Sequence, residues 1–290
     1  MFPHFLPHGV NQLSEDSARA IAQSLQRQPI TTPLSQQPIE TAYVHQGEGG
    51  TPILLLHGFD SSVLEFQRLL PRLASKNEIW AIDLLGFGFT DRMQGLAFNP
   101  STIKTHLYCS WKALIKQPVI LVGTSMGGAA AIDFTYTYPQ AVKKLILLNS
   151  MGYQGGFPIG KFLFPPLDLI AIEYWRQRKI QPLLIGTLSG WNPSDMEVLR
   201  CLALHMDMPS WREAMIAFTK SGGYSYLGQE ILQINKPTLI LWGKNDDMLG
   251  NDDAYKFQRD IRQSQLIWLN CGHAPQLEQP QLTAEHILSF

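Results

Sequence analysis

The chain has 290 residues, of which 45% are hydrophobic and 16% charged, with a formal net charge of −1. This balance is typical of a globular protein with enough apolar material for a core, and the absence of a basic excess argues against a general nucleic-acid binder. The three cysteines, Cys109, Cys201 and Cys271, lack the spacing of a zinc site or a disulfide framework, so we expect a reducing compartment and no metal.

The first 38 residues are expected to form a helical extension. From Leu13, the stretch LSEDSARAIAQSLQ repeats apolar residues at helical spacing, and Ser14 is placed to cap its first turn. The following TTPLSQQP is typical of a loop. A strand with alternating burial is predicted over Ile39–Gln46.

Short and nearly unbroken apolar runs then recur, as expected for strands buried on both faces of a parallel sheet. They are ILLL (53–56), IWAI (79–82), VILV (119–122), LILL (145–148), LILW (239–242) and LIWL (266–269). Helices are predicted between most of them, at about 64–74, 101–115, 127–138, 252–261 and 281–288. This alternation predicts an α/β protein with a mostly parallel, doubly wound sheet.

The alternation is interrupted after LILLNS, where no strand pattern follows until KPTLILWG. We interpret residues 153–220 as a helical cap inserted into a core formed by residues 39–152 and 221–290. The cap segment FPIGKFLFPPLDLIAIEYW is rich in Phe, Leu and Ile. These side chains either pack the cap onto the core or contact a long apolar chain or a bilayer surface.

The motif GTSMG (123–127) lies between the VILV strand and a predicted helix. G-x-S-x-G in this context is a nucleophile elbow, which lifts the hydroxyl of Ser125 clear of the sheet. Side chains at Gly123 and Gly127 are expected to collide with a neighbouring strand or helix. A glycine-tolerant turn with an idle serine is the alternative, and it is disfavoured by acid and base candidates at later strand ends.

His273 follows the last strand and is the candidate base, because imidazole takes and returns a proton near neutral pH. Asp246 follows the LILW strand and is the candidate acid, with Asp247 as the alternative. Ser125, Asp246 and His273 follow one another in the order serine, acid, histidine, which is the chain order of catalytic triads that contain this elbow motif. Asp246 is favoured because it lies at the usual offset from the glycine that ends the strand.

A tetrahedral intermediate also needs donors for its oxyanion. We assign this role to the backbone N–H groups of Met126, which follows the serine, and Phe59, in the HGFD loop after the ILLL strand. His57, in the HGFD loop, is expected to shape that loop. Asp83, which follows the IWAI strand, is expected to anchor loop amides.

The blocks LLLHGF, DLLGFGFTDR, LVGTSMGGAAAIDFTYTYP, PTLILWGKNDD and CGHAPQLEQP resemble the α/β-hydrolase superfamily over about residues 39–290. The resemblance implies the α/β-hydrolase fold and a serine hydrolase that needs no cofactor. A nucleophilic aspartate would suggest a dehalogenase or an epoxide hydrolase, and Ser125 argues against both.

Locally, HGFDSSVLEFQRLLPRL followed by WAIDLLGFGFTDR resembles the chlorophyll dephytylases of plants and cyanobacteria. This implies a small hydrophobic ester as substrate, such as the phytyl ester of a chlorophyll-type pigment. The N-terminus has no secretory pattern, and no apolar run reaches the ~18 residues of a spanning helix. We therefore expect a cytoplasmic protein whose cap makes at most a peripheral contact with a membrane such as the thylakoid.

Two other functions stay open. The menaquinone-pathway lyase carries similar HGF and SMGG blocks, and its polyanionic substrate needs arginines that face the site; Arg176, Arg178, Arg200 and Arg212 lie in the cap, in orientations that the sequence does not give. A ligand-binding receptor on a hydrolase fold is the other, and the intact serine, acid and histidine set argues against it.

Overall fold

The computed structural model of the chain describes residues 1–154, 156–157 and 160–290, with Lys161 described for its backbone alone. One sheet of eight strands has the order β1-β2-β4-β3-β5-β6-β7-β8. The strands are β1 (Gln26–Ile30), β2 (Ile39–Gln46), β3 (Ile53–Leu56), β4 (Ile79–Ile82), β5 (Val119–Thr124), β6 (Val142–Leu148), β7 (Thr238–Gly243) and β8 (Ser264–Leu269).

Helices connect most of these strands. They are α1 (Asp16–Ser24), α2 (Leu70–Ala74), α3 (Pro100–Leu114), α4 (Met126–Thr137), α5 (Leu167–Ser189), α6 (Pro193–Ala203), α7 (Trp211–Lys220), α8 (Gly228–Leu232), α9 (Asp252–Asp260), α10 (Pro275–Glu278) and α11 (Pro280–Ser289). Within the described ranges, no helix combines the length and the hydrophobicity that crossing a bilayer requires.

The sheet is mostly parallel and is covered on both faces, which confirms the predicted fold class. Strands β3 to β8 run parallel, and β1 and β2 pair antiparallel at one edge. Along β3, Leu54 and Leu56 join one buried cluster with α3 and α4, whereas Ile53 and Leu55 join a second with α1 and α11. A strand buried on both faces has no need for polar alternation, which explains the unbroken apolar runs.

The N-terminal segment differs from the prediction. Residues 26–30, which were placed in the helical extension, form the edge strand β1 against β2. Its sequence QRQPI is mostly polar and contains a proline, which an edge strand tolerates because one side of its backbone faces no partner strand. Ser14 does not cap α1: its amide and hydroxyl both donate to Glu197, and the N-cap position is Glu15.

Between β6 and β7 the described residues form helices and no strand. Helices α5, α6 and α7 fall inside the predicted cap, and α8 belongs to the segment that leads back to β7. Gly155, Pro158 and Ile159, which the predicted cap includes, lie outside the described residues.

Candidate active site

A sharp turn joins β5 to α4 and places Ser125 at the carboxyl end of the sheet. Ser125 has φ 50° and ψ −119°, a backbone conformation that is rare for a residue with a side chain. Its amide donates to the carbonyl of Leu148 at 3.0 Å, which ties the turn to β6. A strained conformation of this kind persists because the surrounding structure holds it.

The glycines on either side of Ser125 sit where no side chain fits. A Cβ atom added to Gly123 would lie 2.3 Å from the carbonyl oxygen of Gly127. One added to Gly127 would lie 2.2 Å from the carbonyl oxygen of Leu56, at the end of β3. The turn therefore depends on glycine at both positions so that α4 can approach the sheet closely.

His273 and Asp246 contact each other beyond the ends of β8 and β7. The Nδ1 atom of His273 lies 3.0 and 3.1 Å from the two carboxylate oxygens of Asp246. Asp246 is 6% exposed, whereas Asp247 is exposed at the rim of the same cavity. Burial acts to raise the pKa of Asp246, but hydrogen bonds from His273 and Asn149 outweigh it and lower the pKa to about 2.

Asn149, which follows β6, is a neighbour of the acid that the sequence analysis missed. Its side-chain amide donates to Asp246 at 2.6 Å, and its oxygen accepts from the Gly243 amide at 3.0 Å. Asn149 has φ 38°, within the left-handed region that asparagine tolerates better than most residues. The available signal was its position directly after a parallel strand, where site residues collect.

Glu278 holds the loop that carries His273. Its two carboxylate oxygens accept from the amides of Gly272 at 2.8 Å and Ala274 at 3.0 Å, the residues on either side of the histidine. Glu278 was not predicted from the sequence. Two hydrogen bonds from one side chain restrict the backbone on which the imidazole is mounted.

His57 orients the peptide unit that joins Gly58 to Phe59. The Leu84 amide donates to Nε2 of His57 at 3.1 Å, so the proton of the neutral ring lies on Nδ1 and is donated to the Gly58 carbonyl at 2.8 Å. Burial lowers the pKa of His57 to about 4, which keeps the ring neutral at pH 7. Because the N–H and C=O of a trans peptide point in opposite directions, the Phe59 N–H is directed away from His57.

The second assigned oxyanion donor is the amide of Met126, the first residue of α4. Within the described part of the chain, no residue accepts a hydrogen bond from the Phe59 or the Met126 amide. The first amides of a helix have no intrahelical partner. Neither N–H group is therefore committed to an acceptor among the described residues.

Asp83 anchors loop amides, as predicted from the sequence. Its carboxylate oxygens accept from the amides of Val63 at 2.7 Å and Phe89 at 2.6 Å. Burial raises the pKa of Asp83 to about 7, against the opposing effect of these two hydrogen bonds. The carboxylate joins the loop after β3 to the loop after β4, beneath the site.

A cavity of about 780 Å³ lies against Ser125 and His273. Ser125, His273 and Phe59 line it from the core, and Trp175 and Leu202 line it from α5 and α6. The charged groups among its described lining residues are four acids and one lysine: Asp60, Glu65, Asp247, Glu278 and Lys179.

Asp60, the residue after Phe59, joins the cap to the core. Lys179 of α5 forms an ion pair with its carboxylate at 2.7 Å, and the indole of Trp211 in α7 donates to the same carboxylate at 2.8 Å. The ring of buried His205 contacts the Asp60 carbonyl at 3.0 Å. The lysine of the cavity is therefore already neutralised by a buried partner.

The four cap arginines do not line this cavity. Arg176 and Arg212 contact Glu173, and Arg200 contacts Glu197. The Arg178 guanidinium lies 5.7 Å from the centre of the Trp175 ring. Among the described residues, therefore, no cap arginine lines the cavity as the binding of a polyanion would require.

Comparison with known proteins places the chain among hydrolases. The profile of the Alpha/beta hydrolase family matches residues 53–286. The chain is 33% identical, over 100% of its length and 90% of the relative's, to the Alpha/beta hydrolase domain-containing protein VTE7 of Arabidopsis thaliana. It is 29% identical to the 2-hydroxy-6-oxo-6-(2'-aminophenyl)hexa-2,4-dienoic acid hydrolase of Metapseudomonas resinovorans, over 87% of each chain.

Among solved structures, a serine hydrolase involved in carbazole degradation (the CarC enzyme) has a similar architecture. Its TM-score is 0.71 at 25% sequence identity, over 91% of this chain and 98% of that one.

Proposed function

Because the chain belongs to the Alpha/beta hydrolase family, we propose that it is a serine hydrolase that cleaves a carboxylic ester. The observation that carries the proposal is the contact between buried Asp246 and His273, which lines the same cavity as Ser125. An imidazole that is held by a buried carboxylate and lines one cavity with an elbow serine supports nucleophilic catalysis by that serine.

In the proposed reaction, His273 takes the proton of Ser125 Oγ as this oxygen attacks the ester carbonyl carbon. The Phe59 and Met126 amides donate to the oxyanion that forms. The intermediate collapses, the alcohol leaves with the proton from His273, and the acyl group stays on Ser125. His273 then deprotonates a water molecule, which releases the acid by the reverse sequence.

Asp246 holds the imidazole in the tautomer that presents Nε2 as the base. Since its pKa of about 2 lies far below neutral pH, Asp246 is ionised and stabilises the imidazolium that forms during the reaction.

The substrate we propose is a hydrophobic ester, and the phytyl ester of a chlorophyll-type pigment is the specific candidate. The cavity supports this class because apolar and aromatic side chains from core and cap line it, including Phe59, Trp175 and Leu202. The acidic balance of its lining disfavours a polyanion. The same balance speaks against the menaquinone-pathway lyase reaction and against a dienoic acid like that named for the Metapseudomonas relative.

A fluorophosphonate probe together with parallel substrates tests the proposal. The wild type should be labelled, and Ser125→Ala and His273→Ala should lose both labelling and turnover while remaining folded. Release of alcohol from p-nitrophenyl esters, and of chlorophyllide from chlorophyll a, is the expected result. Faster turnover of a dienoic acid or of the lyase substrate would contradict the ester assignment, and an unlabelled wild type would favour a receptor.

We further propose that the solvent face of α5 contacts a lipid bilayer. Apolar residues near the beginning and near the end of this helix share one exposed face, and Leu188 is 88% exposed. They are Leu167, Ile170, Tyr174, Leu184, Ile185 and Leu188. Exposed apolar side chains gathered on one face of a helix are typical of a surface that binds a partner or a membrane.

Two observations favour a bilayer with anionic lipids. Arg178 lies on the same face and pairs with no acid in the described part of the chain, while Arg176 and Arg212 share the single carboxylate of Glu173. Trp175, beside this face, also lines the cavity, so an apolar chain has a short path from the lipid to the site. An interfacial helix with basic residues binds such membranes by both effects.

Sedimentation with phosphatidylglycerol and phosphatidylcholine vesicles tests this contact. We expect stronger binding to phosphatidylglycerol, and loss of binding in Ile170→Glu with Leu188→Glu but not in Leu232→Glu, which alters an exposed leucine of α8. A dimer in solution that the double variant dissociates would show instead that a second copy covers this face.

A further inference from the structure

Glu65 is a buried carboxylate of the cavity that the proposed mechanism does not use. It lies in the short 3-10 turn Val63–Phe66 that follows the Phe59 loop, and it is 6% exposed. One oxygen accepts from the Gly58 amide at 3.0 Å, and the other accepts from the Nε2 atom of Gln276 at 2.8 Å. A buried carboxylate with both oxygens occupied in this way is an unusual group to keep near a reaction centre without a purpose.

The two partners of Glu65 belong to the two loops that the reaction must hold in register. Gly58 directly precedes Phe59, the proposed oxyanion donor, and Gln276 lies three residues after His273, the proposed base. A Cβ atom added to Gly58 would lie 3.5 Å from both the Glu65 carboxylate and the Ser125 Cβ. The carboxylate and the nucleophile therefore approach the same glycine.

The backbone on both sides of the Phe59 N–H is fixed. On the preceding side, Glu65 binds the Gly58 amide and His57 binds the Gly58 carbonyl. On the following side, the Nζ atom of Lys179 donates to the Asp60 carbonyl. Glu65 is the member of this set that also binds the histidine loop, through Gln276.

We propose that Glu65 is a positioning residue that couples the oxyanion donor to the catalytic histidine. It holds the Phe59 amide and the His273 loop at a fixed separation, so that the donor and the base act on one tetrahedral intermediate. This inference rests on the proposed function, because it assigns a role within that reaction.

The amide of Gln276 makes a conservative variant available. Its Oε1 atom has no hydrogen-bond partner in the described part of the chain. In Glu65→Gln, the new oxygen can still accept from Gly58, and the new amide can donate to Gln276 once the latter turns over. Glu65→Leu removes both hydrogen bonds, and Gln276→Met removes one while leaving the Gly58 contact in place.

The test measures kcat and KM on a p-nitrophenyl ester, per active site titrated with a fluorophosphonate. Misplacing a donor that acts only in the transition state lowers kcat with little change in KM, so we expect a loss of ~100-fold for Glu65→Leu and ~10-fold for Gln276→Met. Glu65→Gln should stay within about fivefold of wild type, and Glu48→Gln, at an exposed site, should match wild type.

Three outcomes would overturn the proposal. In the first, Gln276→Met and a folded Glu65→Leu keep kcat within about twofold of wild type. In the second, total activity falls only because fewer active sites react with the fluorophosphonate, while kcat per active site is unchanged, as expected for a purely structural role. In the third, Glu65→Gln is as impaired as Glu65→Leu. If Glu65→Leu fails to fold, Gln276→Met and Glu65→Gln still decide. A wild type that the probe does not label would instead count against the proposed function itself.

Discussion

Replacing Asp246 with asparagine tests the proposed acid. Both carboxylate oxygens lie within 3.1 Å of His273 Nδ1. An amide in the same place has one oxygen and an NH2 group, which favours the imidazole tautomer that cannot act as a base towards Ser125. We expect kcat to fall by ~10⁴-fold while the fold is retained, as for a triad aspartate in general.

The pKa of Asp246 sets the expected effect on stability. Its value of about 2 lies below the ordinary 3.8, and at ~1.4 kcal/mol per pH unit the ionised carboxylate contributes roughly 2–3 kcal/mol. Because the pKa is lowered on folding, this contribution is present above pH 3.8 and disappears as the pH falls towards 2. The free energy of unfolding of wild type should therefore exceed that of Asp246→Asn at pH 6, and the gap should narrow on acidification.

The assays are ester turnover at pH 7 and denaturant unfolding from pH 6 to pH 2.5. Asp247→Asn is the matched control, since Asp247 is an exposed neighbour with no hydrogen bond to His273 among the described contacts. A larger loss of kcat in Asp247→Asn would refute the assignment of the acid. A stability gap that does not change with pH would refute the electrostatic reasoning.

Other perturbations give equally direct outcomes. Gly127→Ala places a methyl group against a strand carbonyl 2.2 Å away, and a drop of at least ~3 kcal/mol in the free energy of unfolding is expected by thermal or denaturant melting. Asn149→Ala removes two buried hydrogen bonds, and we expect ~1–3 kcal/mol of destabilisation together with a lower kcat; unchanged values would contradict its role beside the acid. Burial lowers the pKa of His57 and His106 to about 4 and that of His205 to about 3. Between these values and 6.5 the unfolded chain binds more protons, so stability should fall as the pH drops through this window, and less steeply in His106→Gln.

The parallel part of the sheet could be predicted from local sequence because its strands are buried on both faces. Each appears as a short apolar run, and the predicted 53–56 and 79–82 match β3 and β4 residue for residue. β1 escaped prediction because an edge strand satisfies only one neighbour, so its polar QRQPI sequence carries no apolar signal. The prediction that Ser14 is the N-cap of α1 was wrong for a different reason. The hydroxyl of Ser14 donates to Glu197, which is distant in the sequence.

The same distinction, between local sequence signals and contacts with distant residues, applies to the candidate site. Ser125, Asp246 and His273 could be placed together because parallel strands end at one edge, and their catalytic roles stay predictions. Asn149 directly follows a parallel strand and could have been found in this way. Glu65 could not, since its importance lies in contacts across the chain; the Glu65 and Gln276 pair spans 211 positions. The orientations of the cap arginines also could not be predicted from the sequence, because they depend on which side chains lie nearby in the fold.

The Asp60 contacts have a consequence for exchanging caps between relatives. A transplanted cap that lacked counterparts of Lys179 and Trp211 would leave a buried carboxylate without a partner, a loss of about 3–5 kcal/mol by the usual measure of broken buried pairs. Since Asp60 adjoins Phe59, the damage would reach the chemistry as well as the stability. Chimeras that are designed for new substrates should therefore keep Lys179, Trp211 and Asp60 together.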